Sequence, residues 1–134
     1  MNEKELIEKA VEASKRAYAP YSRFLVGAAL ELEDGRVVQG CNVENASFGL
    51  TNCAERTALF AAIAMGEKKF KKIVVYVDRV DFTPPCGACR QVINELAPDA
   101  EILLVNSEKK VKRTNIGELL PLSFGSADLK GKNG

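Results

Sequence analysis

At 134 residues, 46% of them hydrophobic, the chain has the length of one ordinary domain and enough apolar side chains to build a core without disulfide staples. Lysine and arginine number 19 against 18 acidic residues, so a formal charge of +1 creates no long-range field for gathering a polyanion such as nucleic acid. Histidine is absent, which excludes Ser-His-Asp and Cys-His catalysis and leaves cysteine and carboxylate as ligands for any transition metal.

In chain order, Asn2 caps a predicted helix with Glu5 at its third position. Leu6, Ile7, Ala10, Val11, Ser14, Ala17 and Tyr18 recur at helical spacing, so this helix is expected to end before Pro20. Residues 19–24 read as a loop. Leu25 to Leu32 and Val37 to Val43 are β-rich runs around Asp34-Gly35, which predicts an antiparallel hairpin. Residues 44–52 are rich in turn formers and lead to a second helix, expected over Cys53 to Met65 with Asn52 as N-cap and Gly66 as stop. Its apolar residues cover much of its circumference, as a helix packed against a sheet and another subunit requires.

Ile73 to Val77 predicts a strand, Cys86 to Leu96 a third helix ended by Pro98, and Ile102 to Val105 another strand. Strand, helix and strand in that order imply a parallel crossover. A charged turn at Glu108 to Lys110, a weaker strand at Val111 to Thr114 and a helical turn at Ile116 to Leu120 follow. Ser126 to Gly134 is small and polar and reads as the loose tail of a single domain spanning 1–134. No apolar run approaches the ~18 residues of a membrane span, and Met1-Asn2-Glu3-Lys4-Glu5 lacks a signal-peptide layout. A cytoplasmic protein is expected. There, four cysteines read as metal ligands or core residues before disulfides.

Two stretches concentrate the reactive groups: Asn52-Cys53-Ala54-Glu55-Arg56 and Pro84-Pro85-Cys86-Gly87-Ala88-Cys89-Arg90-Gln91. Cys86 and Cys89, three apart at a helix start, project from one face. Cys53 and Cys86 sit where the helix dipole and unpaired amides favour a thiolate. Three thiolates can hold zinc and leave its fourth position open. A redox pair would also use Cys-x-x-Cys, but leaves Cys53 to Glu55 unexplained. Cys41 as a fourth ligand would close the site into a structural zinc; its place inside a strand-like run favours a core thiol. Three thiolates on zinc leave one negative charge, which Arg56 or Arg90 could offset, unless these arginines are simply solvated. Glu55 has two readings as well. With Asn52 as cap it occupies the capping-box position, whereas beside a metal it is the proton carrier that a chain without histidine needs.

Cys53-Ala54-Glu55 followed by Pro85-Cys86-Gly87-Ala88-Cys89-Arg90-Gln91 resembles the zinc-dependent cytidine deaminases, in the short form with three cysteine ligands. The likeness runs from the first helix to about Phe124, through Tyr21-Ser22-Arg23-Phe24, Val26-Gly27-Ala28-Ala29 and Gly40-Cys41-Asn42-Val43-Glu44-Asn45-Ala46-Ser47. It implies a three-layer α/β fold, a mixed five-stranded sheet flanked by helices. It implies zinc on Cys53, Cys86 and Cys89, and hydrolytic deamination of cytidine and 2′-deoxycytidine with Glu55 moving the protons.

By position, the resemblance also gives Asn42 and Glu44 the ribose, Phe24 the base and main-chain groups near Ala54 the pyrimidine edge; Arg56, directly after the first motif, is the expected charge balance at zinc. It further implies a homotetramer in which Phe124 reaches a neighbour's site. Phe48 stands where relatives often carry tyrosine, so no hydroxyl contact to the sugar is expected there. A blasticidin-type deaminase shares the zinc motifs, but Asn42-Val43-Glu44-Asn45-Ala46 resembles the nucleoside enzymes. A polynucleotide deaminase needs a basic groove that this near-neutral chain does not offer.

Overall fold

The computed structural model describes residues 1–130. The elements are α1 (Glu3–Ser14), β1 (Val26–Leu32), β2 (Val37–Cys41), α2 (Ala54–Ala64), β3 (Phe70–Val77), α3 (Gly87–Leu96), β4 (Glu101–Val105), β5 (Val111–Thr114), α4 (Ile116–Leu119) and α5 (Ser126–Lys130). Asp34-Gly35 turns the β1–β2 hairpin as expected, with Gly35 in the left-handed region at φ 92°. The β3–α3–β4 unit makes the parallel crossover. Antiparallel pairing of β1 with β3 joins these two units, giving one mixed sheet of order β2-β1-β3-β4-β5.

The alternation of side chains along the inner strands sorts them into two cores. Ala29 of β1, Val74 and Tyr76 of β3 and Leu103 and Val105 of β4 pack with Leu6, Ile7 and Ala10 of α1. Ala28, Leu30, Ile73, Val75, Ile102 and Leu104 face the other way, onto Ala54, Ala58, Leu59 and Ala62 of α2 and Ile93 of α3. The strands are apolar on both faces because both are covered, and the architecture is the three-layer arrangement expected. None of the helices described is long and apolar enough to cross a membrane.

Two glycines set the spacing of these layers. A Cβ on Gly27 would collide with the Ala10 carbonyl of α1. A Cβ on Gly40 would lie 2.5 Å from both the Ala54 carbonyl oxygen and the Ala58 nitrogen. Helix α2 therefore rests its first turns directly on the backbone of β2.

Several boundaries differ from the sequence reading. Helix α1 stops at Ser14, whose hydroxyl donates to the Val11 carbonyl at 2.6 Å, and the chain then turns so that the Tyr18 amide bonds the Asn42 carbonyl. Strand β3 begins at Phe70, ahead of Ile73, because Lys71 and Lys72 interrupt the apolar pattern while the strand runs on through a register shift, Lys72 pairing with Glu31 and Phe70 with Leu32; Lys72 lies 3.6 Å from both Glu3 and Glu101. Residues Ser126–Lys130 form a short helix, with the Asp128 carboxylate accepting from the Gly125 amide at 2.7 Å. The rest of the predicted tail, 131–134, lies outside the described residues.

Candidate active site and metal centre

Helix α2 starts one residue later than its sequence suggests, with Cys53 as the N-cap in place of Asn52. The Asn52 main chain is committed elsewhere: in an isolated antiparallel bridge it exchanges both of its hydrogen bonds with Val43, each at 2.9 Å. Its side-chain amide donates to the Thr57 hydroxyl at 3.1 Å, and that hydroxyl donates to the Cys53 carbonyl at 3.1 Å. Glu55 is consequently the second helical residue, and the capping-box reading, which needs the third, falls away. Helix α3 repeats the device, with Cys86 as N-cap and Cys89 at the third position.

These two helix starts bring the three thiols together. The Sγ atoms of Cys53, Cys86 and Cys89 all lie within 4.8 Å of one another, with 3.6 Å between Cys53 and Cys86. Zinc–sulfur bonds of about 2.3 Å at tetrahedral angles set sulfurs about 3.8 Å apart, so the cluster fits a zinc ion. It is the one such cluster among the described residues. Cys41, at the end of β2, is half-buried and takes no part, so among the described residues the cluster offers three thiols and not four.

The electrostatics favour a thiolate at Cys53 and disfavour the charged form of Glu55. Hydrogen bonds from Cys89, Arg56 and Cys86 pull the Cys53 thiol down to about 5. Cys89 moves the opposite way, because its proton is held against the Cys53 sulfur and it is buried. The Arg56 guanidinium lies 3.4 Å from the Cys53 sulfur through Nη2, while its Nε is buried with no hydrogen-bond partner. Arg90 is neither a thiolate partner nor a solvated charge: it donates to the carbonyls of Pro85 and Leu119, each at 2.8 Å, and clamps the approach to α3 onto the end of α4. Glu55 is only 4% exposed, and burial pushes its carboxyl above the usual carboxylate range.

A cavity of about 310 Å³ opens beside the cluster, with Cys53, Ala54, Glu55 and Cys86 at one end and Phe24, Asn42 and Glu44 among its other walls. Asn42 is held at both ends of its amide, accepting from the Val26 amide at 2.9 Å and donating to the Phe24 carbonyl at 2.7 Å. Glu44 accepts from the Tyr21 and Ser22 amides at 3.0 and 3.1 Å and from the Ser22 hydroxyl, which holds its carboxyl below the ordinary range. Each therefore has a structural bond and spare hydrogen-bonding capacity toward the cavity. Phe124 is not brought in: it is 58% exposed, and its carbonyl accepts from the side chains of Gln91 and Asn94. The Thr57 and Arg90 contacts escaped sequence reading. The position of Thr57, four residues after Cys53 in a helical run, was the available signal for the first.

The sequence profile described as the cytidine and deoxycytidylate deaminase zinc-binding region matches residues 1–105. The cytidine deaminase of Halalkalibacterium halodurans is 49% identical over 130 residues, covering 96% of this chain and 98% of that protein. The blasticidin-S deaminase of Bacillus cereus is 36% identical over 128 residues, covering 90% of each. Among solved structures, the cytidine deaminase of Burkholderia pseudomallei superposes with a TM-score of 0.90 at 53% identity, over 92% of this chain and 100% of that one. With the three-thiol cluster in place and that profile spanning most of its length, the chain belongs to the cytidine and deoxycytidylate deaminase family, whose reaction is zinc-dependent deamination.

Proposed function

We propose that this enzyme converts cytidine and 2′-deoxycytidine to the corresponding uridines, consuming water and releasing ammonia, with Glu55 as the proton carrier. The observation that carries the reading is a buried carboxyl lining the same cavity as the thiol cluster. Cys53, Cys86 and Cys89 would hold a zinc ion, which would acidify water at the site. Glu55 takes a proton from the attacking water and passes it to the pyrimidine ring nitrogen as oxygen bonds to C4. It then takes the second proton, from the hydroxyl now on C4, and delivers it to the amine as the C4–N bond breaks, leaving the uracil carbonyl and ammonia. Burial raises the carboxyl, which strengthens it as a base for taking the proton from water.

The remaining residues bind and orient. Main-chain groups at Ala54, which begins the helix, read the base edge while Phe24 packs on its face. Asn42 and Glu44 hold the ribose hydroxyls; support for this comes from the hydrogen bonds that fix both side chains while leaving acceptors unused. Arg56 offsets the charge of the thiolates. A homotetramer with Phe124 reaching a neighbour's cavity accords with the exposed Phe60, Ile63 and Met65 along α2 and with the exposure of Phe124 itself. Thiol ligands suit a reducing, cytoplasmic setting.

The test is the ultraviolet absorbance change of cytidine and of blasticidin S, each with the untreated and the chelated enzyme. Loss of cytidine absorbance, stopped by chelation and restored by zinc, is the expected result. Turnover of blasticidin S without turnover of cytidine overturns the substrate assignment.

A further inference from the structure

We infer that Arg79 is a positioning residue for substrate binding: from outside the cavity it covers the ring of Phe24 and fixes it as a wall for the base. The inference rests on the base-packing role proposed for Phe24. The Arg79 guanidinium carbon lies 4.6 Å from the centroid of the Phe24 ring, inside the range of about 6 Å over which a cation is held by the ring face. Arg79 does not itself line the cavity, so any influence it has on substrate passes through Phe24.

The two partners are fixed in complementary ways. The backbone of Phe24 is pinned by cavity-lining residues, its amide donating to the Ser22 hydroxyl at 3.0 Å and its carbonyl accepting from Asn42 at 2.7 Å. What those bonds leave undetermined is the ring, which is half-buried and follows Arg23, a residue in the left-handed region at φ 59°. Arg79 is pinned from the far side of the sheet edge. Its carbonyl accepts from the Ser107 amide at 2.8 Å, and the next carbonyl, that of Val80, accepts from the Asn106 side chain at 2.8 Å. Asn106 is 2% exposed and also accepts from the amides of Glu108 and Lys110, so the β4–β5 turn is a rigid post. Among the described residues the Arg79 guanidinium makes no ion pair, which leaves the ring as its partner. A wall held in one rotamer spares the substrate the cost of ordering it, an effect on binding and not on the chemical step.

Steady-state constants for cytidine with Arg79→Gln, Arg79→Lys, Phe24→Leu and the Phe24→Leu/Arg79→Gln pair decide the matter. Arg79→Gln is expected to raise KM about three- to fivefold with kcat within about twofold. Arg79→Lys keeps the cation and is expected to stay within about twofold of the parent KM. Adding Arg79→Gln to Phe24→Leu is expected to change KM by less than about 1.5-fold, since the ring it would act through is gone. An unchanged KM in Arg79→Gln alongside a raised KM in Phe24→Leu overturns the role of Arg79 and leaves that of Phe24 standing. An unchanged KM in Phe24→Leu overturns the base-packing role itself, and the inference with it.

Discussion

The two helix starts that assemble the sulfurs are built in opposite ways. Helix α2 begins inside the protein, with Ala54 fully buried and Glu55 nearly so, because Gly40 lets its first turns lie on the backbone of β2. Helix α3 begins at the surface, where Cys86, Gly87 and Ala88 are exposed and Cys89 alone turns inward. One start is located by backbone contact, the other by the Arg90 clamp on Pro85 and Leu119. The division follows the chemistry. The α2 start carries the carboxyl whose shift depends on burial, whereas in the function proposed the α3 start offers only thiols and can sit at the rim.

The largest test of this comparison is Glu55→Gln. Loss of the buried proton carrier is expected to lower kcat by about 10²- to 10⁴-fold while zinc content and thermal midpoint hold. Near-normal turnover would remove Glu55 from the mechanism and leave α2 with no chemical reason to be buried. Next in size is the pair Gly40→Ala and Gly87→Ala, followed by urea denaturation and zinc per chain. The first forces a methyl against two backbone atoms and is expected to cost about 1–3 kcal/mol and weaken zinc retention. The second meets nothing within 4 Å and is expected to stay within about 0.5 kcal/mol. Equal losses would mean that the two starts are located alike.

The arginines separate the same way. Arg90→Ala gives up two charge-assisted bonds to carbonyls and is expected to lower stability by about 1–3 kcal/mol without moving the pH profile of kcat. Arg56→Ala is expected to keep zinc. With a cation removed from beside anionic sulfur, further negative charge at the site becomes less favourable, so the acidic limb of the kcat profile moves to higher pH. An unmoved profile would reduce Arg56 to packing. Smallest is Glu44→Ala at the opposite wall, expected to raise KM for cytidine by about tenfold and for a ribose-free analogue much less. Equal effects would assign Glu44 to the turn at Tyr21 and Ser22 alone.

Much of this was legible in the chain. The Asp34-Gly35 hairpin and the β3–α3–β4 crossover followed from turn chemistry and apolar runs, and Cys53, Cys86 and Cys89 from spacing and from the absence of histidine. The misread boundaries share a cause, since each was decided by contacts distant in sequence. Asn52 is a preferred capping residue, yet its backbone is taken by Val43, which moves the cap to Cys53 and changes the position of Glu55. Lys71 and Lys72 disguise the start of β3 because the strand resumes beyond a register shift, where Phe70 pairs with Leu32 of β1. Arg90 looked like a surface charge because its carbonyl partners lie in a preceding loop and a later helix.

The thiol caps have a consequence for how this sequence can drift. Helices α1 and α4 open on asparagines whose side chains accept from the third helical amide, Asn2 from Glu5 at 2.8 Å and Asn115 from Glu118 at 3.0 Å. Helices α2 and α3 open on Cys53 and Cys86, neither of which makes such a bond. Serine at either position would begin a better helix and end the metal site. A lineage screened only for heat resistance would thus be drawn toward oxygen at positions 53 and 86, and only continued demand for turnover keeps sulfur there.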